Sequence, residues 1–282
     1  MRLHRLLLPL LAALIIAGCQ GHKAGPQSAA TDSTAMSNRT ASADILHTDS
    51  FKYALQTANG QCEVFVDYPI GGPPALVGAL HDFIKSTLFD DLSATAPDDP
   101  AELVRAYCAQ RQKVLAHTLS QMGTSTIDRR DTPEEGIDIR LVCTAPRFVT
   151  YEVYRYSYIT HGAHGEYSDY GVTFRNSDGR RMTHILNKVD EGLYAHIRHG
   201  LKSYFEVSSD SQLADICTTD LSLMPMPTFP PYLVADGVRL HYSIYDICAF
   251  DDGDPALTIP YAIALPYMTA EARDLVAHDT TH

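Results

Sequence analysis

His161, His164 and Glu166 fall within six residues of one another. Two imidazoles and a carboxylate form a donor set that zinc accepts, and a zinc so held could activate water for a hydrolytic reaction. Their spacing fits no zinc-protease helix, however. Gly162 and Gly165 mark a loop, where the same side chains can simply furnish a turn. His196 and His199 lie three apart on a predicted helix, opposite its apolar stripe, and read as a solvated face. Asp251-Asp252-Gly253-Asp254 offers carboxylates to a hard cation. It lacks the twelve-residue calcium loop and its closing Glu, so it reads as a surface turn. No metal and no cofactor is assigned.

Tyr154, Tyr156 and Tyr158 alternate along a predicted strand and share one face. Aromatic side chains dominate interface hot spots, so this stripe could be a binding face. It could equally be the sheet face packed under the helices. The chain has neither a Gly-x-Ser-x-Gly elbow nor a phosphate-cradling glycine loop followed by Lys and Ser or Thr. These readings assign no catalytic residue. They favour a binding domain with Tyr154, Tyr156, Tyr158, His161, His164 and Glu166 as its contact residues. The alternative is a metal-assisted hydrolase built on His161, His164 and Glu166.

Cys62, Val64, Val66 and Tyr68 alternate with polar neighbours after Asn59-Gly60, which predicts a hairpin. Leu76, Leu80, Phe83, Ile84 and Leu88 recur at helical spacing. A second helix starts where Asp99 can cap and Pro100 fits the first turn, with Leu103, Tyr107, Val114, Leu115, Leu119 and Met122 as its apolar side. From Ile137 the period becomes two, with Ile137, Ile139, Leu141 and Cys143 on one face. Strands over 148–160, 167–174 and 181–185 continue an antiparallel meander. Asp190 caps a third helix carrying Leu193, Ile197, Leu201 and Tyr204. A hairpin around Asp236-Gly237, a strand over 257–265 and a short helix over 269–277 close the chain. The fold class is α+β, an antiparallel meander with helices packed on it. The expected division is an N-terminal α+β part over 45–147 and a C-terminal part over 148–282.

The N-terminus carries its own chemistry. Arg2 and Arg5 precede an apolar run from Leu6 to Ala17, too short to span a bilayer core that needs about 20 residues. Ile16-Ala17-Gly18-Cys19 then matches the lipobox of bacterial lipoprotein signal peptides. The expectation is cleavage before Cys19, acylation of its thiol, and tethering to a membrane through several acyl chains. Gln20 after the cysteine leans towards the outer membrane, with the domain facing the periplasm. Gln20 to about Asp44 is rich in Ser, Thr, Ala and Gly and reads as a flexible tether.

The 282 residues have a formal charge of −12. Losing Arg2 and Arg5 with the leader leaves 20 basic against 34 acidic residues, a charge of −14. That argues against nucleic acid, whose phosphates need clustered Lys and Arg. It suits solubility or a cationic partner. Cys62, Cys108, Cys143, Cys217 and Cys248 remain beside Cys19. An oxidising compartment permits disulfides among them, but five is odd, so at least one stays free or pairs with another chain, and buried thiols are an alternative for all five.

Tyr158, the His161-Gly162-Ala163-His164-Gly165 loop, the strand over 167–174, Gly179 and the helix over 190–205 resemble one family in order. Asp236-Gly237, Tyr245-Asp246-Ile247, Gly253 and Ile259-Pro260-Tyr261 resemble its closing segment. The family is the RsiV-like extracytoplasmic domain, found in a lysozyme-receptor anti-sigma factor and a peptidoglycan deacetylase. His161 stands where that family usually has the first Gly of its loop. The resemblance implies an α+β domain in the cell envelope whose ligand is a lysozyme-like muramidase or peptidoglycan. The hydrolase alternative would then act on cell-wall material.

Overall fold

The computed structural model describes residues 45–90, 95–122, 132–159 and 164–277. The leader, Cys19, the tether and His161 lie outside the described residues. Among the described residues no helix is long and apolar enough to cross a membrane.

A six-stranded sheet carries the fold, in the order β1 (His47–Thr57), β2 (Gly60–Gly71), β3 (Glu134–Thr144), β4 (Phe148–Tyr158), β5 (Glu166–Arg175) and β6 (Arg181–Met182). The α+β class holds, with one departure from a pure meander. β2 and β3 run parallel. A parallel neighbour needs a long crossover. Here α1 (Pro74–Phe89) and α2 (Pro100–Gln121) supply it and lie on one sheet face. Asp99 caps α2 by accepting from the Glu102 N–H, as its sequence suggests. All five residues of the α1 stripe are buried, but Val114 of α2 and Met122 at its C-cap are exposed at 39% and 47%. The apolar side of α2 is therefore narrower than its sequence implies.

The other sheet face receives a second layer. It comprises α3 (Glu191–Tyr204), α4 (Asp210–Ile216) and a small sheet in the order β7 (Tyr232–Leu233), β8 (Gly237–His241) and β9 (Ala256–Pro260). The chain ends in α5 (Tyr261–Ala264) and α6 (Ala270–Val276). The predicted strand over 257–265 thus stops at Pro260, whose ring cannot donate to a ladder, and Tyr261 starts a helical turn. Asp190 caps α3 through the Leu193 N–H, and Leu193, Ile197 and Leu201 are buried, whereas Tyr204 is exposed.

β4 shows how the two layers share one sheet. Val149, Tyr151 and Val153 belong to the core under α1 and α2. Phe148 belongs to the core of the second layer. Successive side chains of a strand point to opposite faces. Thr150 donates to the Leu233 carbonyl at 2.7 Å, and Leu233 N–H donates to Thr173 at 3.0 Å, so two buried hydroxyls bind β7 to the large sheet. Tyr232 lies flat on Gly171 of β5, where an added Cβ would come within 2.3 Å of its ring. The Tyr232 hydroxyl donates to Glu152 at 2.9 Å.

Two expectations need correction. The division at 147/148 falls inside the hairpin joining β3 and β4, and one sheet runs through it. Cys143 does not share the face of Ile137, Ile139 and Leu141. The β3–β4 register shifts between Leu141 and Cys143, which pairs with Thr150 and enters the second core. The extra residue of a bulge, Val142, flips everything after it.

Candidate functional site

The tyrosine stripe lies on the sheet face away from α1 and α2. Residues paired across a ladder share a face, and Tyr154, Tyr156 and Tyr158 pair with Asp138, Gly136 and Glu134 of β3. On β4 the second layer covers this face only as far as Glu152; on β5 it reaches Asp169, which faces His241, and Tyr167, whose ring meets Phe250 edge-on at 5.9 Å. Beyond that edge Tyr154 is 41% exposed, and Tyr156 and Tyr158 are half-buried. Tyr167 of β5 pairs with Tyr156, and its ring centroid stands 6.4 Å from that of Tyr154. The stripe is thus an open surface.

Two grooves flank Tyr156. One, of about 490 Å³, lies between Glu63, Glu134, Asp138, Tyr154 and Tyr156, with Gly136 at its floor. The other, of about 480 Å³, runs by Gln56, Gln61, Glu134, Tyr156, Tyr158 and Gly165. Gly165 is needed there, since a Cβ on it would meet the Tyr156 ring at 2.5 Å. Opposing charges on this face are few. Lys52 stands 3.8 Å from Glu63, and Arg140 binds Asp138 at 2.7 Å while lying 3.9 Å over the Phe65 ring.

A second aromatic group forms the wall beside β5. The His164 ring stacks on Phe250 with centroids 3.7 Å apart. Its Nδ1 lies 3.0 Å from the Gly165 carbonyl, which can only accept, so Nδ1 carries the hydrogen. In the neutral ring Nε2 then accepts from the Tyr245 hydroxyl at 3.0 Å. Tyr245 sits in the left-handed region at φ 68°, a conformation that costs a side-chain-bearing residue about 1–3 kcal/mol. Asp246 holds it there, accepting from the N–H groups of Ser243 and Thr228 and from the Thr228 hydroxyl.

The electrostatics favour neutral phenols. Burial pushes the hydroxyl of Tyr154 upward, and that of Tyr156 as well. Burial, aided by Asp254, pushes Tyr167 up to about 12. These groups remain protonated at neutral pH. They offer ring faces and O–H donors among the carboxylates of Glu63, Glu134 and Asp138. That inventory stacks on and hydrogen-bonds a ligand, and it contains no activated nucleophile.

The other sequence candidates separate. Glu166 pairs with Ser157, so it faces the helix side of the sheet. There it lines a different cavity, of about 260 Å³, with Arg111, Glu135 and Arg155. Arg111 already grips Glu135 with both Nε and Nη2. His164 and Glu166 therefore do not converge, and His161 lies outside the described residues. Among the described residues no three His, Cys, Asp or Glu side chains gather as metal ligands. His196 approaches Tyr267 with ring centroids 6.4 Å apart, and His199 is exposed. In the acidic turn, Asp254 bends inward to His241 at 3.2 Å, and Asp251 and Asp252 are exposed.

The sequence reading missed Tyr167, Tyr245 and Phe250. Only Tyr167 left a signal, the parity that places it opposite Tyr156 in the next strand.

No family model and no curated protein matches this sequence. Solved structures do match. A member of the DUF3298 family from Bacteroides fragilis superposes with a TM-score of 0.67 at 20% identity, covering 84% of this chain and all of its own. A DUF3298 family protein from Pseudomonas aeruginosa gives 0.55 at 15% identity, covering 82% of this chain and 97% of its own. The chain has the DUF3298 fold. At these identities the DUF3298 likeness carries the architecture alone. The site described above rests on this chain's own residues.

Proposed function

We propose that this chain is a lipid-anchored receptor of the cell envelope. Its open tyrosine face binds a cationic protein of the lysozyme-like muramidase class. One observation carries the reading: on β4 the second layer stops at Glu152 and leaves Tyr154, Tyr156 and Tyr158 open beside Glu63, Glu134 and Asp138, with Tyr167 at the boundary. A neutral aromatic stripe bordered by carboxylates suits a basic, partly apolar surface. The charge of −14 that would remain after removal of the leader would speed encounter with such a partner. DUF3298 is the RsiV-like domain, so the fold supports the same reading. The lipobox supports a tether at Cys19 in the outer membrane, facing the periplasm, and some 25 linker residues would give it a mean reach of roughly 27 Å.

The test is binding of the chain from Thr31 onward to lysozyme at two salt concentrations. Binding is expected to survive about 0.15 M salt, where screening reaches about 8 Å, and to fall with Tyr156→Ala. Binding to peptidoglycan fragments without lysozyme binding would move the ligand from the enzyme to the wall polymer. Binding to neither would overturn the receptor reading. Separately, Cys19→Ser is expected to release the chain from the membrane fraction.

A further inference from the structure

The five cysteines behind the tether are placed unequally. Cys62 of β2 and Cys108 of α2 are both fully buried, with Sγ atoms 2.6 Å apart. That is well inside the van der Waals contact of two sulfurs and approaches a covalent bond. Cys217 and Cys248 face each other across an isolated antiparallel bridge. The flanking bond runs from Thr218 N–H to the Ile247 carbonyl at 2.8 Å, which makes the cysteines a non-hydrogen-bonded pair. In such pairs the Cα atoms stand about 4.5 Å apart. Disulfides span roughly 4.4–6.8 Å between Cα atoms. Cys143 sits apart on the bulged end of β3, beside Asp236 and Tyr261.

We propose that the folded chain carries two disulfides, Cys62–Cys108 and Cys217–Cys248, and keeps Cys143 as a thiol. The odd cysteine count then resolves without a partner chain. Each bond forms as two thiols lose two protons and two electrons to a thiol–disulfide oxidant, which is reduced to its dithiol. Because Cys62 and Cys108 are closed off in the native state, their bond forms before β2 and α2 finish packing. The second bond bears on the site. Cys248 lies between Tyr245 and Phe250, so tying it to the end of α4 braces the loop that presents both rings to His164.

The presence of an oxidant rests on the envelope reading above, whereas the pairing rests on geometry. The experiment separates them. The full chain is isolated from whole cells, its free thiols are alkylated in denaturant, and unreduced peptides are mapped by mass spectrometry. A second sample is first opened with urea in a glutathione redox buffer and returned to native conditions. Cross-links 62–108 and 217–248 with alkylated Cys143 in both samples are the expected result. All five thiols alkylated in the first sample, with those two links in the second, would uphold the pairing and sink the export reading. Cys143 in a cross-link, or either predicted link missing from the second sample, would overturn the proposal. In the linked form, reduction is expected to speed proteolysis within 243–254 at least several-fold, and Cys248→Ser should do the same without reductant.

Discussion

One face of β4 is divided between two environments. Phe148, Thr150 and Glu152 lie beneath the second layer, and Tyr154, Tyr156 and Tyr158 extend past its edge. In the covered half, polar side chains are each given a partner: Thr150 has Leu233 and Thr173, and Glu152 has Tyr232. In the open half, the same strand presents large rings that the fold leaves half-buried. Burying a side chain of that size would contribute about 1.5–3 kcal/mol. The covered half of the strand holds the two layers together, and the open half is left as surface for something else.

Breaking the covered half should have the largest effect. Tyr232→Ala removes a buried ring that fills the space over Gly171 and strips Glu152 of its donor. A loss of about 3–5 kcal/mol in stability is expected from denaturant unfolding. A near-silent substitution would show that the second layer is not held at β7. Gly171→Ala attacks the same contact from the sheet side, and overpacking of this kind costs about 1–3 kcal/mol. An unchanged melting temperature would mean that Tyr232 moves aside freely.

The open half should respond in the opposite sense. Tyr156→Ala is expected to alter stability by no more than about 1 kcal/mol. It should weaken ligand binding by about 2 kcal/mol, close to 30-fold. Stability loss equal to that of Tyr232→Ala would make the stripe a second core and erase the distinction.

The smallest effect lies at the boundary, where Asp169 of β5 faces His241 of β8 at 3.8 Å. Burial raises the Asp169 carboxyl above its ordinary range, partly offset by His241. The folded chain therefore holds that proton more tightly than the unfolded chain. Its stabilising contribution is complete below the usual carboxylate pKa and is lost as pH rises through the folded value. Asp169→Asn should thus gain on the wild type as pH rises above the ordinary aspartate value of about 3.9. A gap that widens on acidification instead would mean that the ion pair with His241 outweighs burial.

The sequence showed much of the fold and part of the site. Helical spacing marked α1, α2 and α3, and capping residues marked the starts of α2 and α3, because those signals are local. Alternation in β4 showed that the three tyrosines share a face. It could not show which face, because the covering layer comes from Tyr232 and Leu233, some 75 to 80 residues downstream. The bulge at Val142 misled the count at Cys143, since a single inserted residue leaves the apparent period intact. Glu166 stands two positions from His164 in the chain, yet it opens β5 on the helix side of the sheet, whereas His164 sits in the loop before the strand, where alternation does not apply. Tyr245 was illegible as a site residue. Its left-handed backbone depends on Asp246 receiving hydrogen bonds from Thr228, 18 residues away.

The open tyrosine face is tested most directly by hydrogen–deuterium exchange of the chain with and without a bound muramidase. Added protection is expected over 134–138, 154–158 and 164–167, with the β7–β8 hairpin unchanged. Protection confined to the helix face of the sheet, or spread over the second layer alone, would contradict it.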